Sequence, residues 1–319
     1  MGTWMTRDGR PIEVRPARGA FDDFAAVVGP KTPGTPGCWC MAYRDARKGL
    51  DDRIAHMKSE CATEPGRAPS SSTDRNSSSR SSHRVPHRRC VAPTSTWVLC
   101  AAVLPDGVHF VVGTGGNEVW LYHVDGTLVH TFEGHTDNVR AVAVTPDGQH
   151  IISGSWDKLV KVWSVATKSL VSTCAGHTLA VNAVAAMPDG QRILSGGGDK
   201  TIRVWDTIDY SSVAVLEGHS RPVLSLAISA PYLFSGSYDH KVGVWRLDTF
   251  AQLALLHGHT DAVRTLECTG QYLLSGSYDN TIRVWDKDTH ECVTMLTGHT
   301  GPVRTLLTYD DTLYSASYD

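Results

Sequence analysis

The stretch GHTDNVRAVAVTPDGQHIISGSWDKLVKVWSV, residues 134–165, decides the fold of this chain. It opens on a Gly-His dipeptide and passes through a Pro-Asp-Gly turn and a Ser-Gly run to an Asp. A Trp follows six residues after that Asp. A similar sequence pattern recurs along the second half of the chain. A period of this length indicates a supersecondary unit that stacks on copies of itself.

The Gly-His dipeptides set the period, with steps of 42, 42, 40 and 40 residues. They are Gly134-His135, Gly176-His177, Gly218-His219, Gly258-His259 and Gly298-His299. In the repeat that begins at Gly134, which is the second repeat of the chain, the runs 138–144, 150–155, 159–165 and 169–175 are rich in Val, Ile, Leu and Thr and are separated by turn residues. Such runs predict four short antiparallel strands per repeat, which make one blade of an all-β propeller.

The spacing of Gly-His, Asp and Trp closely resembles that of the WD-repeat β-propeller proteins, over residues 93–319. The resemblance implies a structural hydrogen-bond network in each blade, made by the His, a Ser or Thr of the second strand, the turn Asp and the Trp. Carried onto this sequence, the network residues are His135, Ser153 or Ser155, Asp157 and Trp163; His177, Ser195, Asp199 and Trp205; His219, Ser235 or Ser237, Asp239 and Trp245; His259, Ser275 or Ser277, Asp279 and Trp285; and His299 with Asp319.

Repeated His, Ser and Asp residues also suggest a serine hydrolase. Such an enzyme needs one set with an exposed nucleophile beside an oxyanion hole. Here the set recurs from repeat to repeat, always with a Trp, and no Gly-x-Ser-x-Gly elbow accompanies it. Buried polar groups cost about 1–3 kcal/mol each when unpaired, and a chained set satisfies its own members. We therefore expect a structural network, with no catalytic residue, cofactor or metal site.

Three repeats depart from the pattern. In the first, no Gly-His is present, Gly115-Gly116 replaces the turn Asp and Tyr122 replaces the Trp, so this blade should be the loosest. In the third, Gly197 stands where other repeats have a second Ser, which predicts a partial network. The last repeat stops at Asp319, in the turn before its third strand.

The strands add up to about five and a half blades, whereas most proteins of this family close a ring of seven. An incomplete ring exposes the apolar flanks of its terminal blades. We therefore expect either completion by another chain or a truncated gene product, and we favour truncation. The expected blades are 93–133, 134–175, 176–217, 218–257, 258–297 and a partial 298–319.

The N-terminal part has a different character. Residues 1–66 include Gly37-Cys38-Trp39-Cys40-Met41 and resemble the opening segment of GNAT-type N-acetyltransferases. The glycine-rich acetyl-CoA loop of that family is missing, so no acetyltransferase activity is expected. Residues 1–66 are therefore expected to form a small mixed α/β fragment that is not a complete domain. Residues 67–92 contain eight serines and six arginines and almost nothing apolar, which predicts a disordered basic linker.

Charge and hydropathy narrow the choice of partner and compartment. The net charge of −3 makes nucleic acid an unfavourable main partner, although the basic linker could contact it weakly. The sequence shows neither a secretory signal nor an apolar run of 18 residues, so we expect no membrane contact and a cytoplasmic and/or nuclear location. The scattered cysteines should be free thiols.

Binding is the function that remains. One propeller face should be formed by the turns before each Asp and by the starts of the first strands. Its Arg, Tyr and Trp residues belong to types that dominate interface hot spots. The residues predicted to bind a partner are Arg140, Trp156, Tyr238, Arg264, Tyr278, Arg304 and Tyr318. Three arginines favour an acidic or phosphorylated peptide, since guanidinium pairs with carboxylate and phosphate.

The sequence thus predicts a non-catalytic protein-interaction scaffold. Two alternatives stay open: a substrate receptor of a ubiquitin ligase, and an acetyltransferase-related protein in which the propeller recruits the substrate. No F-box or RING sequence is visible for the first of these.

Overall fold

The computed structural model describes residues 4–5, 11–14, 96–309 and 312–319. Most of the acetyltransferase-like segment and the whole Ser/Arg linker lie outside these residues. Among the residues described there is no helix, and so none long and apolar enough to cross a membrane.

Strands account for the secondary structure of the described residues, and they form six four-stranded sheets. The N-terminal strands are β1 (Trp4–Met5) and β2 (Pro11–Val14). The first repeat contains β3 (Val98–Val103), β4 (His109–Thr114), β5 (Val119–His123) and β6 (Leu128–Phe132). The second contains β7 (Val139–Val144), β8 (His150–Ser155), β9 (Leu159–Ser164) and β10 (Ser169–Ala175). The third contains β11 (Val181–Ala186), β12 (Arg192–Gly197), β13 (Ile202–Asp206) and β14 (Ser212–Leu216).

The fourth and fifth repeats have the same make-up. The fourth contains β15 (Val223–Ser229), β16 (Tyr232–Ser237), β17 (Val242–Arg246) and β18 (Gln252–Leu256). The fifth contains β19 (Val263–Thr269), β20 (Tyr272–Ser277), β21 (Ile282–Asp286) and β22 (Cys292–Leu296). The last contributes β23 (Val303–Tyr309) and β24 (Thr312–Ser317). In the first five repeats, consecutive strands pair as antiparallel neighbours, as the sequence predicts.

Turn chemistry explains the meander. Between β7 and β8, the amide of Gly148 donates to the carbonyl oxygen of Thr145 at 2.8 Å. A carboxylate oxygen of Asp147 accepts the amide of Gln149 at 3.0 Å. Gly148 has a φ of 72°, which glycine adopts without steric cost. The Pro-Asp-Gly segment therefore forms a tight turn, which places β8 antiparallel beside β7.

The core lies between successive sheets. The first strand of each repeat packs against the first strand of the next, from β3 to β23. One apolar cluster joins Leu121 of the first repeat to Val139, Ile151 and Trp163 of the second. Each of these four side chains is at most 2% exposed. A repeat therefore completes its core only against its neighbour, which is the behaviour of a stacked-repeat protein.

A glycine in the second strand of each of the first five repeats lets the next sheet approach closely. A Cβ placed on Gly154 would lie 2.6 Å from Cγ1 of Val181, the first residue of β11. The equivalent contacts are Gly113 to Val139 at 2.8 Å, Gly196 to Val223 at 2.6 Å, Gly236 to Val263 at 2.9 Å and Gly276 to Val303 at 2.7 Å. The glycine of the Ser-Gly motif is thus required for packing, because a side chain at this position would overlap the valine at the start of the next repeat's first strand.

Replacing Gly196 by Ala should therefore lower the free energy of unfolding by about 1–3 kcal/mol through overpacking. Urea unfolding of the full chain measures this. The double variant Gly196→Ala/Val223→Ala should lose less than the sum of the two single variants, because removal of the valine methyls makes room for the new one. Strict additivity would show that the contact does not control packing.

The sheet of the last repeat differs from the sequence prediction, which gives this repeat its first two strands alone. β23 and β24 pair antiparallel, and β2 lies beside β24 in a parallel arrangement with Glu13 opposite Thr312 and Val14 opposite Leu313. β1 pairs with β2 at the outer edge. Because the third strands of the other sheets run antiparallel to the second, β2 fills the position of a third strand without being its equivalent.

The fourth strands form the outer edges of the sheets and carry exposed apolar side chains. Leu170 and Val171 of β10 are 46% and 43% exposed. Similar exposure is found at Val213, Val215, Leu253, Val293 and Met295. We call the exposed edge formed by the fourth strands the outer rim. It is separate from the turns between the second and third strands.

Candidate functional site

A continuous, linear series of hydrogen bonds links four side chains of the second repeat. His135 Nδ1 lies 2.7 Å from a carboxylate oxygen of Asp157, and His135 Nε2 lies 2.7 Å from Ser153 Oγ. Trp163 Nε1 lies 2.8 Å from the same Oγ. An indole N–H can only donate and a carboxylate can only accept. The imidazole therefore donates from Nδ1 to Asp157 and accepts at Nε2 from the serine hydroxyl, whose oxygen accepts the indole N–H.

The structure brings the corresponding residues together in the next three repeats. The chains there are Asp199–His177–Ser195–Trp205, Asp239–His219–Ser235–Trp245 and Asp279–His259–Ser275–Trp285. In the last repeat, His299 lies 3.1 Å from Asp319 and 2.8 Å from Ser315. This pair is more exposed, at 15% and 20% of the two side chains, than the pairs of the preceding repeats.

The sequence leaves two serines open in several repeats, and the structure gives each its own role. Ser153 joins the chain of side chains, whereas Ser155 Oγ donates to the carbonyl of Asp137 at 2.8 Å and accepts the amide of Asp157 at 3.1 Å. Ser237 and Ser277 make the same two bonds in their repeats. In the third repeat Gly197 has no such hydroxyl, yet the His177 chain is intact.

This geometry contains the distances of a catalytic triad but not its accessibility. Ser153 is 0% exposed, and its oxygen already accepts the indole of Trp163. A substrate carbonyl can reach neither the nucleophile nor an oxyanion hole under these conditions. Each chain therefore links strands and the preceding loop within one repeat, and its serine is not accessible to a substrate.

Electrostatics agree with a neutral histidine and an ionised aspartate. Burial raises the pKa of Asp157, but hydrogen bonds from His135 and from the Thr136 amide outweigh it and leave the pKa below 3.8. Burial lowers the pKa of His177 below 6.5, although Asp199 opposes the shift. A neutral imidazole is the form that can donate at one nitrogen and accept at the other.

In the first repeat, the turn between the second and third strands is stabilised by different hydrogen bonds. Thr114 Oγ1 accepts the amides of Gly116 and Glu118, so a hydroxyl replaces the missing carboxylate. Tyr122 takes the register position of the Trp, is 3% exposed and stacks on Phe110 with ring centroids 5.3 Å apart. The indole of Trp120 donates to Glu118 at 2.8 Å. The sequence indicates the missing residues and Tyr122 in place of the Trp, but not the roles of Thr114 and Trp120.

The turns before each network Asp project side chains at equivalent places on one face. In the first five repeats, the turn residue donates its amide to the carbonyl of the residue just before the first strand, as in Trp156 to Asn138 and Tyr238 to Pro222. Trp156, Tyr238 and Tyr318 are 45%, 38% and 47% exposed. The hydrogen bond tethers the turn, so Trp156 and Tyr238 are presented on a fixed base. We call this surface the turn face.

In the third repeat the turn face carries an apolar residue that the sequence pattern misses. Gly198 holds the turn position and is buried, while Leu179 in the preceding loop is 52% exposed. A Cβ on Gly198 would lie 3.2 Å from Cβ of Leu179, so leucine occupies the space left by glycine. The alignment of turn positions could not reveal this, because the two residues lie in different loops.

The three predicted arginines are not equivalent. Arg264 is 7% exposed and donates from Nη1 to the carbonyl of Leu224 in the preceding repeat, so its side chain is buried and does not extend from the predicted binding face into solvent. Arg304 donates from Nη1 to the Tyr278 hydroxyl. Its guanidinium lies 5.2 Å from the Tyr278 ring centroid and 4.5 Å from that of Tyr318. Arg304 is thus held between two aromatic rings.

Arg140 has a third environment. It lines a cleft of about 320 Å³ between the first and second repeats. The other residues that line this cleft are Trp97, Leu99, Gly115, Asn138 and Trp156. Trp97 is 51% exposed and precedes the first strand of a repeat that has no Gly-His, so the repeat pattern does not mark it. No group of three His, Cys, Asp or Glu side chains suited to a metal ion occurs within the described residues.

Stacked four-stranded sheets with a buried His–Ser–Asp–Trp chain define a propeller-type repeat. The family model "WD domain, G-beta repeat" matches this chain at residues 126–164, 168–206, 210–246 and 250–286. These four segments are therefore WD repeats, and the sequence resemblance is confirmed for them.

Relatives match over short segments. An intraflagellar transport protein 122 homolog of Xenopus tropicalis is 42% identical over 64 residues, which is 20% of this chain and 5% of the relative. A ribosome biogenesis protein BOP1 homolog of Drosophila grimshawi is 58% identical over 36 residues, or 11% of this chain and 5% of the relative. A periodic tryptophan protein 2 homolog of Schizosaccharomyces pombe is 32% identical over 84 residues, or 26% and 10%. The chain therefore matches only a small fraction of each relative's length.

Proposed function

We propose that this chain is a non-catalytic protein-interaction scaffold that binds an acidic or phosphorylated peptide segment of a partner on its turn face. The observation that carries the proposal is the display of exposed aromatic side chains by turns of several repeats, with arginines near the starts of the first strands beside them. WD-repeat proteins are in general non-enzymatic scaffolds, and the relatives are named for transport and for biogenesis.

The composition of the turn face supports binding. Trp, Tyr and Arg are the residue types that contribute most to interface hot spots. Trp156, Tyr238 and Tyr318 are each more than a third exposed, and backbone hydrogen bonds tether the turns of Trp156 and Tyr238. A rigid aromatic group loses little conformational entropy when a partner covers it, which favours affinity.

The acidic character of the partner rests on two arginines. Arg304 is pre-organised by its bond to Tyr278 and its packing against Tyr318, so little side-chain entropy remains to be lost on binding an anion. Arg140 lies on the same kind of position in the second repeat. Guanidinium groups pair with carboxylates and phosphates through parallel hydrogen bonds. Arg264 is buried and is not included in this surface.

Selection of a random 12-residue peptide library on the immobilised full chain tests the function. Enriched peptides should be acidic, and synthetic versions in which Lys replaces Asp and Glu should bind at least about tenfold more weakly. The double variant Arg140→Gln/Arg304→Gln should show a similar loss, since each guanidinium is replaced by a neutral amide.

The outer rim supplies the matched control. The double variant Leu170→Ser/Val171→Ser changes residues as exposed as those of the turn face and should bind the peptides as the wild type does. Loss of capture in this variant, with capture retained in the arginine variant, would assign binding to the rim and contradict the proposal.

A further inference from the structure

We propose that the cleft between the first and second repeats is an anchoring site for an aromatic or large aliphatic side chain of a peptide that carries an adjacent Asp or Glu. This inference rests on the proposed function and adds the chemistry of one subsite. We call the cleft lined by Trp97, Leu99, Gly115, Asn138, Arg140 and Trp156 the two-tryptophan cleft.

The exposure of its two indoles is the first observation. Trp97 and Trp156 are 51% and 45% exposed. The other tryptophans of residues 96–309 are between 1% and 4% exposed. Two large apolar rings that line one cleft offer a surface from which an apolar group displaces water, and this burial favours binding.

The departure of the first repeat creates the space. Gly115 donates its amide to Trp97 as Trp156 does to Asn138, so Gly115 holds the turn position that is aromatic in most other repeats. A Cβ on Gly115 would lie 3.3 Å from Asn138 Oδ1 and 3.7 Å from Trp97 Cβ. Because no side chain extends from Gly115, the part of the cleft beside Trp97 and Asn138 stays open. About 320 Å³ accommodates one large side chain with part of its backbone.

Charge selects the neighbour of that side chain. Arg140 is the one cationic residue among the six that line the cleft. Its guanidinium opposes a lysine or a methylated lysine in the cleft and favours a carboxylate at its edge. An aromatic residue next to Asp or Glu therefore fits both parts of the surface.

A single-stranded nucleic acid also stacks on indoles, but the cleft suits it poorly. Such strands need a groove with several cations along the backbone. The cleft has one arginine, and the chain as a whole carries a net charge of −3. The observations therefore favour a peptide.

Variants of the cleft test the inference on acidic peptides enriched by the wild-type chain. Trp97→Ala and Trp156→Ala should each weaken binding by at least about tenfold, as anchoring aromatic residues do. Gly115→Leu should have the same effect by filling the space, although it removes no residue that contacts the peptide. In the peptide, replacement of the enriched aromatic or aliphatic residue by Ala should match these losses.

Leu253→Ala is the matched control, because it removes an apolar side chain of similar exposure from the outer rim, away from the turn face, and should leave binding unchanged. Full affinity in both tryptophan variants would overturn the inference while leaving the proposed function intact. A library that enriches no peptide would overturn both. Tight binding of a 12-residue oligouridine RNA that is lost in Trp156→Ala would also overturn the inference, because the occupant would then be a nucleobase.

Discussion

Replacing Trp245 by Ala should lower the free energy of unfolding by about 3–5 kcal/mol, the range found for buried tryptophan. The indole is 2% exposed and packs with Leu233, Leu216 and Val223. The substitution opens a large cavity between two sheets. It also removes the donor that bonds to Ser235 Oγ at 2.8 Å. Urea unfolding followed by circular dichroism measures the change.

Two further variants separate the causes. Trp156→Ala removes the same side chain from an exposed position and should change stability by less than about 0.5 kcal/mol. Trp245→Phe keeps much of the apolar volume and loses the indole donor, so its effect should fall between the other two. Equal losses for Trp245→Ala and Trp156→Ala would contradict the assignment of Trp245 to the structural core.

Asp279→Ala should cost about 3 kcal/mol or more at pH 7, because it breaks a buried charged network and leaves its donors unpaired. The carboxylate accepts hydrogen bonds from His259 Nδ1, the Thr260 amide and the Thr281 amide and hydroxyl, at 2.6–3.0 Å. Asp248→Ala is the control. Its carboxylate lies 2.6 Å from Arg246, which is closer than Asp279 lies to His259. Both side chains of this ion pair are exposed, so its loss should have no measurable effect.

The effect of Asp279→Ala should depend on pH with a defined sign. Burial raises the pKa of Asp279, but the bonds from His259 and Thr281 outweigh it, so the pKa lies below 3.8 in the folded chain. A lowered carboxylate pKa stabilises the fold fully above the unfolded value of 3.8 and progressively less below it. The difference between wild type and variant should therefore shrink as the pH falls below 3.8. A difference that grows in this range would contradict the hydrogen-bond assignment.

Much of the repeat follows from sequence because its signals are local. The alternation of apolar runs with Pro-Asp-Gly turns predicts the strands of the second repeat to within a residue or so. The recurrence of His, Asp and Trp predicts which polar side chains need one another. The pattern could not separate Ser153 from Ser155, because residues two apart point to the same side of a strand. Their different partners, Trp163 and Asp137, lie elsewhere in the fold.

The turn face is less predictable because neighbours decide what each position does. Arg140, Arg264 and Arg304 occupy one register position, yet Arg264 is buried against the Leu224 carbonyl and Arg304 lies between two tyrosines. Whether an arginine faces solvent depends on the adjacent repeat. Trp97 is unmarked by any motif, and the place of β2 beside β24 involves residues about 300 positions apart.

The library selection on the immobilised full chain tests the central claim most directly, since it asks whether the turn face binds acidic peptides at all. We predict enrichment of peptides with an aromatic or large aliphatic residue next to Asp or Glu, and loss of their capture in Arg140→Gln/Arg304→Gln but not in Leu170→Ser/Val171→Ser. Enrichment of basic peptides, or equal capture by the wild type and the arginine variant, would contradict the proposed function.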